Sequence, residues 1–111
     1  MKKLYDYIEA LKGHTRLDTN TKIAEYLEVS RQYITTLKYG RNWLSRDKCL
    51  DIAKALGIDV TEIILVINSE KSESQEDRER FQQLAEKHRT PINPPKDFLP
   101  DGAPKRRLPK K

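Results

Sequence analysis

Proline is missing from the first 90 positions of this 111-residue chain; all six (Pro91, Pro94, Pro95, Pro100, Pro104 and Pro109) come later. Proline lacks a backbone N–H and restrains the residue before it, so the early part is free to be helical and residues 90–111 are expected to be extended or disordered. Cysteine occurs once, as Cys49, which excludes an intrachain disulfide, and neither it nor His14 and His88 has the spacing of metal ligands. No apolar run approaches the ~18 residues of a membrane span. The N-terminal Met1-Lys2-Lys3-Leu4-Tyr5-Asp6 lacks the unbroken apolar stretch of a signal peptide. Paired carboxylates suited to acid–base chemistry and a phosphate-cradling glycine loop are both missing. These absences point to a soluble, cytoplasmic protein that is not an enzyme, needs no cofactor or metal and has no membrane partner.

What the chain has in quantity is charge. Lys and Arg number 22 against 17 Asp and Glu, a net charge of +5 with a pI of about 9.4. The excess is unevenly placed: residues 1–68 carry net +2, residues 69–89 net −1 and residues 90–111 net +4. The expected organisation is one small domain over 1–68, a charged amphipathic helix over 69–89 and a Pro-rich basic tail over 90–111, with the folded part ending near Arg89.

Glycines and capping residues divide the first part into five helices. Gly13, Gly40 and Gly57 each follow a helical pattern, at the position where a left-handed residue ends a helix. Leu4, Ile8 and Leu11 recur at helical spacing and predict a first helix over about 3–12. Thr19 can cap a second, with Ile23, Ala24 and Leu27 inward. Ser30 can cap a third, with Ile34 and Leu37 inward. Ser45 can cap a fourth, with Leu50, Ile52, Ala53 and Leu56 inward, and Asp59 with Glu62 reads as a capping box for a fifth beginning at Val60. The β-branched run Ile63–Ile67 tempts a strand reading, but the cap favours helix. The expected fold is all-α, five compact helices with a possible sixth at about 73–89.

Only Glu28 and Val29 separate Leu27 from Ser30, so the second and third helices must turn sharply, the geometry of a helix-turn-helix. The uninterrupted stretch Thr19-Asn20-Thr21-Lys22-Ile23-Ala24-Glu25-Tyr26-Leu27-Glu28-Val29-Ser30-Arg31-Gln32-Tyr33-Ile34-Thr35-Thr36-Leu37-Lys38-Tyr39-Gly40 resembles the lambda repressor/Cro (XRE-type) family. Leu50-Asp51-Ile52-Ala53-Lys54-Ala55-Leu56-Gly57-Ile58 is similar to that family's fourth helix, and the resemblance covers about residues 3–67. Ala24 falls where the two helices touch, and a larger side chain there would separate them. Glu28 is the departure, because the family prefers glycine in the turn; a left-handed non-glycine residue costs roughly 1 kcal/mol.

Opposite the apolar Ile34 and Leu37 lie Gln32, Thr36 and Tyr39, with Thr35 beside them and Arg31 on the first turn. Gln can bond an adenine edge at two points, Arg a guanine edge, and a Thr methyl can pack on thymine. The resemblance implies base contacts by Arg31 and Gln32, then Thr35 and Thr36. Backbone contacts are expected from Asn20, where the family places a phosphate contact, and from Lys22, Lys38, Arg41 and Asn42 around it. Tyr33, to one side, can reach a phosphate or sugar. Trp43 can close the core beside Leu44 or meet DNA or a second subunit. Cys49 reads as a core residue, His14 as surface and His88 as packing.

Ile63 to Ile67 put apolar groups all round the fifth helix, and two explanations arise, which can also hold together, the sixth helix joining the dimer contact. A second subunit can cover the open side, making Ile64, Val66 and Ile67 a dimer contact. Alternatively a sixth helix bearing Phe81, Leu84, Ala85 and His88 can fold back on it. The resemblance implies a sequence-specific regulator of transcription that binds double-stranded DNA. It is expected to be a phage or prophage repressor seated on a palindromic operator as a homodimer. An activator touching polymerase near Glu25 and Glu28 stays open. So does an antitoxin-type protein that regulates its own promoter and holds a protein partner through residues 69–111. The basic run Lys105 to Lys111 can add nonspecific attraction to DNA.

Overall fold

Helix ends fall where caps and chain-reversing glycines put them, with two exceptions. The computed structural model describes residues 1–95, which form six helices and, among the described residues, no strand. They are α1 (Leu4–His14), α2 (Asn20–Leu27), α3 (Arg31–Lys38), α4 (Arg46–Leu56), α5 (Val60–Lys71) and α6 (Gln75–Lys87). Thr19 and Ser30 cap α2 and α3 through their hydroxyls, accepting the N–H of Lys22 at 3.1 Å and of Tyr33 at 3.0 Å. Gly57 ends α4 in the left-handed region, φ +70°. Ser45 stands at the start of α4, but its side chain makes no capping bond. Gly13 lies inside α1; that helix stops two residues later at Thr15, whose hydroxyl donates to the Leu11 carbonyl at 2.7 Å.

Leu4, Tyr7, Ile8 and Leu11 of α1 are buried in a core shared with Ile23, Ala24, Ile34 and Leu37 from α2 and α3 and with Ile52, Leu56, Ile63 and Val66 from α4 and α5. Cys49 belongs to it, and burial lifts its thiol to about 11. Leu50 departs from expectation: it is 41% exposed on the outer face of α4.

Helix α6 folds back along α5 and buries Ala85 completely. Gln82 of α6 bonds the Lys2 carbonyl at 2.8 Å and the Ser69 hydroxyl at 3.1 Å, tying the hairpin to the N-terminus. Val66 is fully enclosed and Ile67 nearly so, whereas Ile64 and Leu65 stay half-buried. His88 lies just past the end of α6, exposed, with Nδ1 3.4 Å from Asp59 rather than packed on the stripe. Nor does the folded part end at Arg89. Ile92 packs against the core and the Asn93 N–H donates to the Leu56 carbonyl at 2.8 Å, laying the chain across the end of α4. The basic run 105–111 lies outside the described residues.

Glu62 does not form the expected capping box. Asp59 caps α5 alone, accepting the Thr61 N–H at 2.9 Å. The Glu62 carboxylate turns inward instead, where Oε2 accepts the Tyr7 hydroxyl at 2.5 Å and lies 3.6 Å from Lys2 Nζ and from Arg89 Nε. Oε1 has no hydrogen-bond partner. Removing the phenol would strip a buried carboxylate of its best donor, so Tyr7→Phe is expected to cost about 1–3 kcal/mol in thermal or urea unfolding. Burial, reinforced by Glu62, also holds the Tyr7 phenol well above its usual range. Above pH ~10 the unfolded chain releases this proton and the folded one keeps it, so stability falls as pH rises. The Phe variant should lose that part of the alkaline slope, and an unchanged slope would refute the assignment.

Candidate nucleic-acid interface

Two short helices can hold a fixed angle only if their turn is pinned, and three contacts pin this one. Glu28 takes the left-handed conformation, φ 62° and ψ 44°, a cost of about 1 kcal/mol for a non-glycine residue. The reversal lets the Val29 N–H reach the Ala24 carbonyl at 3.0 Å. Lys48 of α4 donates Nζ to the Leu27 carbonyl at 2.7 Å, placing a cation at the negative end of α2. Ala24 is buried between the helices, where its single methyl leaves room for α3 to close.

Helix α3 is thereby fixed with one face in and one out. Ile34 and Leu37 are buried, while Arg31, Gln32 and Thr35 are exposed together on the opposite side. Arg31 Nη1 rests 3.5 Å from the Thr21 hydroxyl, a loose contact that leaves most of the guanidinium open. Thr35 Oγ1 lies 3.5 Å from the Arg31 carbonyl. Thr36 is half-buried and its hydroxyl is engaged, donating to the Tyr33 carbonyl at 2.6 Å and accepting Asn42 Nδ2 at 2.8 Å. Its methyl is the group left for a base. Tyr39, opposite the core in the helical projection, is exposed at the far end.

Of the residues expected at the sugar–phosphate backbone, Lys38 and Arg41 are exposed, Arg41 lying 6.0 Å from the centre of the Tyr39 ring. Lys22 is exposed but bridges Asp18 at 3.1 Å, and that lysine holds the Asp18 carboxyl below its usual range. Asn20 opens α2, half-buried, with Oδ1 enclosed and without a hydrogen-bond partner. Asn42 is committed to Thr36, and the Tyr33 hydroxyl donates to the Trp43 carbonyl at 2.6 Å. Tyr33 and Asn42 thus hold the loop after α3 against the helix. Trp43 packs half-buried on the core, as one of its two readings had it.

Two residues of the site escaped the sequence. Lys48 and Glu70 meet their partners across 21 and 27 positions, separations over which no spacing rule operates. Lys48 pins the turn. Glu70 accepts the indole N–H of Trp43 at 3.3 Å.

A pinned turn, a buried reverse and a projecting row of Arg, Gln and Thr define a helix-turn-helix DNA-binding domain. A helix-turn-helix family model matches residues 6–63, more than half of the chain, and the chain belongs to that family, of the Cro/C1 (XRE) type. The protein is therefore a DNA-binding regulator of transcription. No curated protein and no solved structure matches the chain. Among the described residues no helix is long and apolar enough to cross a membrane.

Proposed function

We propose that the protein is a repressor that reads one half of a palindromic operator with α3 and binds as a homodimer in the cytoplasm. The observation that carries this is the exposed row Arg31, Gln32 and Thr35 on a helix whose other face is buried. Arg31 donates twice to a guanine edge, Gln32 donates to and accepts from an adenine edge, and the methyls of Thr35 and Thr36 pack on thymine. Lys38, Arg41, Lys22 and Asn20 meet the phosphates that set the register, with Tyr33 and Asn42 at the same rim. Repression then needs only occupancy, a bound dimer excluding polymerase.

Selection of bound fragments from random duplexes tests the reading. An enriched palindrome whose half-sites lie about one helical turn apart is expected; no enrichment overturns it. Dimerisation has its own check. Ile64 and Leu65 are the members of the apolar run on α5 that stay half-buried, and Ile64 lines a cleft with Leu44, Cys49 and Ile67. Ile64→Asp is expected to reduce the mass in sedimentation to that of one chain and to leave the helical signal intact. A variant that remains dimeric moves the contact elsewhere. The antitoxin-type alternative, with a protein partner on residues 69–111, has less support because α6 already spends Ala85 on its own chain.

A further inference from the structure

The loop between α3 and α4 carries the exposed Arg41, 6.0 Å from the centre of the Tyr39 ring at the end of α3, and loops of this kind are mobile unless something ties them down. Its first half is tied to α3. The Arg41 N–H donates to the Thr36 carbonyl at 3.2 Å, and Asn42 donates to the Thr36 hydroxyl at 2.8 Å. Its second half is tied at Trp43, whose carbonyl accepts the Tyr33 hydroxyl at 2.6 Å. The indole reaches away from α3. Its N–H donates to Glu70 Oε1 at 3.3 Å, and Lys71 Nζ lies 5.5 Å from the ring centre. The other Glu70 oxygen accepts the backbone N–H of Leu4, the first residue of α1. One carboxylate on α5 therefore joins the start of α1 to the loop that follows the recognition helix.

We propose that Glu70 is a positioning residue for DNA binding: by holding the Trp43 indole against α5 and α1, it fixes the α3–α4 loop so that Arg41 stands where a phosphate will lie. The inference rests on the DNA-binding reading above and extends it to a side chain beyond the matched helix-turn-helix region. A loop ordered before binding pays no ordering cost when the duplex arrives. A loop released from Trp43 pays it at every encounter, and the loss falls on the phosphate contact rather than on the bases.

The test uses the full chain and the duplex recovered by selection, with affinity measured across a range of salt concentrations. Each phosphate contact contributes about 0.9 to the slope of log affinity against log salt. Glu70→Ala should lower affinity roughly five- to tenfold and flatten that slope by about 0.9. Arg41→Ala should add little in the Glu70→Ala background, because the contact it removes is already lost. Glu70→Gln keeps one acceptor where two N–H groups need one, so its affinity and slope should fall between those of the wild type and Glu70→Ala. Trp43→Phe removes the indole N–H together with the five-membered ring while keeping an aromatic side chain at the core, and it should reproduce the Glu70→Ala slope, which keeps the test decisive if Glu70→Ala fails to fold. A residue of purely structural value would lower the melting temperature with the slope unchanged and the Arg41 effect additive, and that result overturns the inference. A wild-type chain that selects no duplex overturns the DNA reading itself, whereas a selective wild type matched by every variant overturns this inference alone.

Discussion

Ile34→Ala is expected to destabilise the protein by about 2–5 kcal/mol, the range for truncating a buried aliphatic to alanine. Ile34 is fully buried, and with Leu37 it anchors the inner face of α3, a helix of eight residues. A helix that short does not hold together in water by itself; it persists because these two side chains are buried. Small domains are stable by only about 5–15 kcal/mol, so the loss removes a large fraction of the total. For a domain of this size each kcal/mol is worth roughly 4–8 °C, which places the drop in melting temperature at about 8–40 °C. Thr35→Ala, one position along on the exposed side, should leave the melting temperature within a few degrees of the original. A small effect at Ile34, or similar effects at both positions, would show that α3 is not held by its reverse face.

That contrast between adjacent residues is what made the site legible in the sequence. Helix period, caps and the chain-reversing glycines depend on neighbours within a few positions, so Thr19, Ser30, Gly40 and Gly57 could be placed from the chain alone, and the structure keeps them in those roles. The failures have physical causes. Leu50 was grouped with Ile52, yet two positions rotate a side chain ~200° around a helix, which carries Leu50 outward when Ile52 is buried. Glu62 has the spacing of a capping box, but its position on α5 faces α1, where Tyr7 offers a stronger donor than the helix end does. His88 extended an apolar stripe past the point where the helix stops. Val66 read as half of an exposed run because the sixth helix was one of two ways to cover it. The contacts of Lys48 and Glu70 join parts of the chain that only the fold brings together. Local chemistry thus specified the recognition unit, whereas the frame that holds it had to be seen.

Replacing Gln32 or Arg31 with alanine should reduce affinity for the selected duplex by about 1–3 kcal/mol each, roughly five- to 150-fold, and should do so without moving the melting temperature. Both side chains are exposed on the first turn of α3, so the folded state loses almost nothing when they are cut back. The two losses should differ in kind from those at Lys38 or Arg41. A base contact carries sequence information, so Gln32→Ala should bind substituted duplexes nearly as well as the parent at the position it reads, while the salt dependence stays almost unchanged. A phosphate contact carries none, and Lys38→Ala should weaken all duplexes alike and flatten the salt slope by about 0.9. Arg31 combines charge with a fork of donors and should show some of each behaviour, a relaxed preference together with a small change in slope. Competition binding against every single-base variant of the selected site measures all of this at once. If Arg31→Ala and Gln32→Ala keep the full preference of the parent, bases are read by some other surface, and the outward row of α3 is only a solvated face.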